Sequence, residues 1–549
     1  MLQELPLEIL NQISYTLVPS DALHLAYTNK YLYSCLLPRL YSSLVIDSSK
    51  KNYQNQHLIK HKSYQRIPNI LKATSSQTIH STSIKSIYAL RLVFKNLANH
   101  PSYASYIQIL IIDNEFPDIS NLEITHMLSQ IMPLLTNLKV FHWFSLTKMI
   151  PFELLYELKF PNKLLELSGN FIYTSQTNLA GFNNLKIINL SSFQNSANLA
   201  KFENLASLPN LSKVIISKNF SCNNQLLSSK NITSNSLLTI PDSDPYLSVL
   251  FPQSSTKKLN LSSFCLKDIN LDLKDVDHLI SNINLNHLNE LSIKNCTESF
   301  FHQNILINGL RRNLPPVTFL DKLTPFLTNL TKLNLDLSNE LYNNDSIFKF
   351  LSNLPKLTHL IIKLNFNQYE NINYQLFKFF TNLKPNLTYL NFDFDISSNI
   401  IYPPPNYAKP ATFNYTLSSI EKLSSLKNLY YLKFPILQFQ IPQFLLLIKP
   451  LSKLSHLQLV LLQSACETPS PILTNNLICQ DYFNTSFLLD YKLNQIDQFK
   501  IYALDFKQSL SNLKYLSFSK KDDHFVFDCI GQVHLNLDLV NDFDHLLNI

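Results

Sequence analysis

Four glycines in 549 residues are the first peculiarity of this chain. They stand at Gly169, Gly181, Gly309 and Gly531, against a usual share of roughly 7%. A loop that cradles a phosphate needs several glycines together, so that backbone N–H groups can approach the anion. No two glycines here are that close, which excludes the Walker A loop, the dinucleotide fingerprint, the kinase glycine loop and the GxSxG elbow. Charge is scarce as well, at 15% against the usual quarter or so. The seven cysteines include no CxxC pair. They read as reduced, packed thiols of a cytoplasmic or nuclear protein, not as a disulfide framework. Long apolar runs are missing: stretches such as Phe444 to Ile448 fall far short of the ~20 residues that span a bilayer. The segment from Met1 to Pro6 lacks a basic region and an uninterrupted apolar core, so no signal peptide and no membrane span are expected.

What is present is a core. With 45% hydrophobic and 12% aromatic residues, the chain has enough apolar surface to offset the entropy of ordering, which excludes wholesale disorder. Asparagine is abundant and is expected to take over turns and helix ends that glycine would otherwise occupy. It also spells frequent N-x-S/T triplets, such as Asn260-Leu-Ser262 and Asn329-Leu-Thr331, which lie inside apolar segments and read as chance.

The pattern L-x-x-L-x-L, allowing other large apolar residues, recurs about eleven times. It starts at Leu138 (with Phe141 and Trp143), Leu185, Leu211, Thr256 (with Leu259 and Leu261) and Leu288. It continues at Leu330, Leu357, Leu387, Leu429, Leu454 and Leu513. Several neighbours are about 25 to 30 residues apart, the upper range for leucine-rich repeats. The apolar pair spaced by two falls on one face of a short strand. One such unit cannot bury its face alone, so neighbours must stack into a parallel sheet backed by helices. Segments such as Phe348 to Pro355, with helical spacing and a proline stop, are the candidate backing helices. Such repeats often place Asn or Cys eight residues after the start leucine. Here that position holds Asn219, Cys296 and Asn365, with Ser338 as a substitute, so this ladder is broken. The expected fold class is α/β: an irregular leucine-rich-repeat solenoid, or horseshoe, over residues 84–549. Insertions are expected near 222–258 and 396–415, where Ser, Asn and Pro accumulate. Ile84 to Ala98, with helical spacing, and the strand-like Tyr106 to Ile112 would form its first unit.

Residues 1–47 read as a separate, small all-α module. Leu5-Pro6-Leu7-Glu8-Ile9-Leu10 begins a helix with the stripe Ile9, Leu10, Ile13 and Leu17. Ser20 or Asp21 would cap a second helix carrying Leu23, Leu25 and Ala26. A third run holds Tyr31, Leu32, Leu36, Leu37, Leu40 and Tyr41. Fewer than fifty residues cannot bury so much apolar surface, so part of it must face a partner. This segment resembles an F-box in Leu5-Pro6-x-Glu8-Ile9, Ile13, Leu17, Pro19, Asp21, Leu25, Lys30, Leu40 and Tyr41. Ala22 replaces the usual leucine, and Tyr41 stands where many members have tryptophan. The resemblance implies that Leu5, Pro6, Ile9, Leu10, Ile13, Leu17, Leu23 and Leu25 bind a Skp-type adaptor. It further implies a link through that adaptor to a cullin–RING ubiquitin ligase, with the repeats recruiting a protein substrate. On this reading the chain is not itself an enzyme and needs no cofactor or metal.

Residues 48–83 read as a basic linker. Between Asp47 and Asp113 no Asp or Glu occurs, while Lys50, Lys51, Lys60, Lys62, Arg66, Lys72, Lys85, Arg91 and Lys95 do. Those nine charges exceed the net +7 of the whole chain. Tyrosines among them make nucleic-acid contact an alternative to a solvated linker. His57 and His61 lack a third metal ligand, and Asp268-x-Asn270-x-Asp272 lacks the glycine and the final Glu of a calcium loop. Residues between and just after the buried apolar pairs face the partner side of such a sheet. They are Asn334, Asp336, Ile361, Lys363, Asn391, Asp393 and Lys433, a mixed stripe that fits a protein and not a nucleic-acid backbone. A repeat scaffold with no ligase role is the alternative function.

Overall fold

Each apolar pair of the repeat pattern alternates with polar neighbours, which dictates a strand with one buried face. The computed structural model describes residues 5–17, 19–47, 81–114, 119–143, 149–172, 178–191, 205, 208–217, 246–251, 257–298, 317–336, 344–367, 371–397, 415–462, 484–520 and 523–535. The chain divides into two units, Met1–Leu288 with Glu298–Leu310, and Asn289–Thr297 with Arg311–Ile549.

The first unit opens with three helices, α1 (Leu7–Thr16), α2 (Pro19–Thr28) and α3 (Lys30–Ser42). Asn29 caps α3 by accepting from the Tyr31 N–H at 2.6 Å. Within the range 1–47 expected for the module, α3 runs straight into strand β1 (Ser43–Asp47). Leu44 and Ile46 give that strand its buried face, and Tyr41 occupies the place of a start leucine, which hid the unit from pattern counting. β1 pairs in parallel with β2 (Thr82–Ile84) and with β3 (Ile109–Asn114). Thr82 Oγ1 donates to the Leu40 carbonyl at 2.6 Å, and Tyr41 stacks on Tyr103 with ring centroids 5.7 Å apart. The helices are thus joined to the sheet without a spacer. Of the expected linker, residues 48–80 lie outside the described residues, and Thr82 and Ser83 belong to β2.

Beyond β2, α4 (Ile87–Asn99) is capped by Ser86 and α5 (Asn121–Ile131) by Ser120. The sheet continues in parallel from β3 through β4 (Val140–Trp143), β5 (Glu166–Ile172), β6 (Ile187–Ser191) and β7 (Lys213–Ser217) to β8 (Ser263–Lys267). The register aligns Leu110, Phe141, Leu167, Ile188, Val214 and Phe264 in one buried row. β5 was invisible to the pattern because Gly169 stands where the second large residue belongs. The strand expected from Thr256 is displaced: Leu261 is the start, and Phe264 and Leu266 are the buried pair. Residues 246–251 are not insertion. They form a short helix, α6 (Tyr246–Leu250), that buries Leu247, Leu250 and Phe251. The Asp268/Asn270/Asp272 triplet serves local geometry: Asp268 has φ 57°, and Asp272 caps α7 (Leu273–Asn282) in a capping box with Asp275. Burial pushes the Asp275 carboxyl up to about 6.

The second unit repeats the arrangement. Seven parallel strands follow in order: β9 (Glu290–Lys294), β10 (Lys332–Asp336), β11 (His359–Asn367), β12 (Tyr389–Ser397), β13 (Tyr431–Leu437), β14 (His456–Leu462) and β15 (Tyr515–Lys520). β16 (Asp523–Asp528) pairs antiparallel with β15. Helices α8 (Phe319–Leu323), α9 (Asn344–Ser352), α10 (Ile372–Asn382), α11 (Ile441–Ile448) and α12 (Asn484–Ser509) lie between these strands in sequence. Residues 398–414 of the expected second insertion lie outside the described residues.

A polar ladder does bind neighbouring repeats, but at another position from the expected one: the residue just before the start leucine. Asn137 Nδ2 donates to the Ser105 carbonyl at 2.8 Å, Asn210 to Asn183 at 3.0 Å, and Asn428 to Pro385 at 3.1 Å. Where lysine takes the place, its ammonium reaches the neighbouring asparagine: Lys356 to Asn329 at 2.6 Å and Lys453 to Asn428 at 2.8 Å. The residue after the start leucine adds a hydroxyl ladder, with Thr331 on Asn289, Thr358 on Thr331 and Thr388 on Thr358, each at 3.1 Å. Two ladders flanking one leucine spell Asn-Leu-Ser/Thr. The triplets Asn260-Leu-Ser262 and Asn329-Leu-Thr331 stand at these two positions. In-register parallel strands, apolar pairs and these ladders make the fold a leucine-rich-repeat one.

Candidate functional site

On the second unit, the residues that alternate with the buried pairs form three rows across the strands. The middle row carries Asn334, Ile361, Asn391, Lys433 and Gln458 in consecutive register. The row after it carries Lys294, Asp336, Lys363 and Asp393. The structure therefore brings all the predicted residues Asn334, Asp336, Ile361, Lys363, Asn391, Asp393 and Lys433 onto one face, each half-buried. The second row alternates in sign from strand to strand. With strands about 4.8 Å apart, opposite charges that face each other contribute roughly 0.2–1 kcal/mol per pair. The row compensates itself and projects little net field.

The remaining row went unread in the sequence. It consists of His359, Tyr389, Tyr431, His456 and Tyr515, one ring per strand over five strands. Its signal was legible, as a His or Tyr directly before the apolar pair in five successive repeats. Tyr389 and Tyr431 stack with centroids 4.2 Å apart and planes within 5°. Together with Val526 they form a buried cluster that Ile361 and Tyr515 pack against. The Tyr431 hydroxyl donates to Gln458 Oε1 at 2.9 Å, so its polar end is satisfied at full burial. Burial holds the His456 imidazole down to about 4, with Lys514 acting in the same sense. Burial and Lys332 lower His359. These imidazoles stay neutral at physiological pH, so this row is polar and aromatic without being basic.

The strand face of the first unit differs. Val45, Ile109, Ile111 and Val140 form an apolar cluster, next to which His142 Nε2 meets Glu166 Oε1 at 3.0 Å in a buried pair. Among the described residues no group of three or more His, Cys, Asp or Glu gathers to hold a metal ion. His57 and His61 lie outside the described residues.

The helical module sorts the predicted adaptor-binding residues into two sets. Leu10 is 4% exposed and belongs to the module's own core with Ala26, Leu32, Cys35 and Leu36. Leu5 and Leu25 are half-buried against that core. Leu10 is thus turned inward, because α1 needs one side chain to anchor it on α3. Pro6, Ile9 and Leu23 are exposed, and Ile13 and Leu17 are half-buried. Leu7 (49%), Ile9 (40%) and Leu23 (39%) remain uncovered, as does Tyr27 (75%). Leu7 and Tyr27 were not singled out in the sequence. Among the described residues no helix is long and apolar enough to cross a membrane.

No known family description matches the chain, and no curated protein does. Among solved structures it is similar to TLR13 in its complex with ssRNA13, at 14% identity and a TM-score of 0.32, covering 73% of this chain and 51% of that one. It is also similar to the leucine-rich-repeat-containing protein LegL7 from Legionella pneumophila, at 15% identity and 0.30, covering 61% and 95%. Toll in the Drosophila Toll–Spatzle complex follows at 14% and 0.24, covering 66% and 51%. The chain thus spans about half the length of the TLR13 and Toll chains it matches. At such scores the fold rests on the strand register of the chain itself.

Proposed function

We infer that this chain is a non-catalytic substrate receptor of a cullin–RING ubiquitin ligase. Its helical module docks on a Skp-type adaptor, while the strand face of the second unit holds a protein substrate. The observation that carries the reading is the set of large apolar side chains left exposed on α1 and α2, namely Leu7, Ile9, Leu23 and Tyr27. A partner that covered them would remove that apolar surface from water. The second unit supports the other half of the reading. Its sign-alternating row and half-buried polar residues fit the mixed surface of a protein, where one buried ring or apolar anchor carries much of the affinity. The mechanism is proximity: tethering holds substrate lysines near a recruited conjugating enzyme and raises their effective concentration.

Capture of a purified Skp-type adaptor tests this. The full chain retains the adaptor, and Leu7→Asp combined with Ile9→Asp releases it. Both positions are exposed, so the module still folds and the loss reports on docking. Equal capture by the parent and the double variant rejects the ligase role and leaves a repeat scaffold that binds a partner for another purpose.

A further inference from the structure

In a parallel sheet every strand begins on the same edge, so the turns before the strands line up side by side. In the first unit these turns are residues 104–108, 134–139, 158–165, 183–186, 208–213 and 257–262, leading into β3 through β8. They contain no Asp or Glu at all. They do contain Lys139, Lys159, Lys163, Lys186, Lys257 and Lys258, all exposed, and the half-buried Lys213. The turns touch one another: Lys139 Nζ donates to Gln108 Oε1 at 2.9 Å, and Lys163 Nζ to Thr136 O at 2.9 Å and Asn137 Oδ1 at 2.8 Å. The Lys139 and Lys163 ammonium groups are therefore tied to the neighbouring turn. Two glutamates flank the turn 158–165 in sequence. Glu166 is buried on His142, and Glu157 ends the 3-10 turn 152–157 that precedes Lys159. The same rule holds separately in the second unit, where the turns 327–332, 354–359, 383–389, 426–431, 451–456 and 510–515 hold one lysine each and no carboxylate. Segregation repeated over twelve turns is a property of the edge, not of one loop.

We propose that this lysine edge of the first unit is a docking stripe for an extended, Asp/Glu-rich segment of a protein partner. The lysine-bearing turns lead into β4 through β8, and four steps of ~4.8 Å give a stripe roughly 19 Å long, the reach of about six residues of extended chain. Neighbouring strands lie closer together than the ~8–10 Å screening length at physiological salt, so the fields of lysines on adjacent turns add. Two features favour acidic peptide over nucleic acid. No arginine lies in these turns, whereas planar bidentate contact to phosphate is arginine's role. One exposed ring, Phe160, interrupts the stripe, and it is taken up by Lys163 and Lys159 at 4.8 and 5.7 Å from its centroid. A single strand of nucleic acid needs a succession of open rings. The inference rests on the reading that the repeats receive a protein, and it names the chemistry of one segment of that protein.

The test uses the full chain and a fluorescent peptide of about twelve residues alternating Glu and Ser, followed by anisotropy at low and physiological salt. Lys159→Glu, Lys186→Glu and Lys258→Glu together weaken binding at least tenfold. Lys85→Glu, Lys95→Glu and Lys274→Glu, exposed elsewhere on the same unit and equal in net charge, change it less than twofold. Added salt weakens the parent complex. No binding at low salt, or equal loss in the two triple variants, overturns the proposal. So does tighter binding of single-stranded RNA or anionic vesicles that is lost in the first triple variant. Adaptor capture is unaffected by either set, so failure of the stripe and failure of the ligase reading are told apart.

Discussion

Gly169 lies directly across the parallel sheet from Trp143, and a Cβ placed on it would stand 2.6 Å from the Trp143 carbonyl oxygen and 2.8 Å from its Cβ. Its φ of +153° is one that residues with side chains rarely adopt. Among the described strands β3 to β8 this is the one position where the second buried residue shrinks to nothing, and the only tryptophan of the chain sits beside it. Gly169→Ala should therefore destabilise the protein by about 2 kcal/mol, as overpacking against backbone does. Urea unfolding of the two chains measures it. An unchanged midpoint would show that β4 and β5 separate freely.

Asn428 sits between two repeats, donating to Pro385 on one side and accepting from Lys453 on the other. Asn428→Ala removes both contacts and should cost about 1 kcal/mol. Asn428→Asp keeps the acceptor for Lys453 and loses the donor, so it should fall between parent and alanine. A midpoint series that places aspartate below alanine would contradict the ladder.

His456 gives the second unit an acid sensitivity. Its imidazole is held down to about 4 in the fold by burial among Tyr430, Tyr515 and Lys514, against 6.5 when unperturbed. Between those values the unfolded chain binds the extra proton, so stability falls as pH drops through this window and is whole above 6.5. His359 shifts in the same direction. His456→Gln should flatten the decline in unfolding midpoint between pH 7 and pH 5. A decline as steep as the parent's would assign it to other groups.

The units that pattern counting reached are those where both members of the pair are large: Leu333 with Leu335, Leu360 with Ile362, and Leu457 with Leu459 are all buried as spacing requires. It failed where one local feature imitates or hides another. Leu259-Asn-Leu261 alternates as well as Phe264-Cys-Leu266 does, and only Asn260, as the residue before a start leucine, marks the second as the strand. Gly169 hid a whole strand. Ser43 to Asp47 was absorbed into a helical module because its leading residue is Tyr41. The row from His359 to Tyr515 was written plainly in the sequence, yet a row has meaning only once the strands are set in register.

From the order of residues alone came the repeat, its strands, the absence of phosphate-binding loops and the apolar stripe of the first helices, because each depends on spacing along the chain. Only the folded structure decided which of those apolar side chains stay uncovered, Leu7 and Ile9 outward but Leu10 inward. It alone also decided that lysines some twenty residues apart stand on one edge. The reason is stacking: parallel register turns a recurrence in sequence into a line in space, and side chains acquire neighbours that no local pattern specifies.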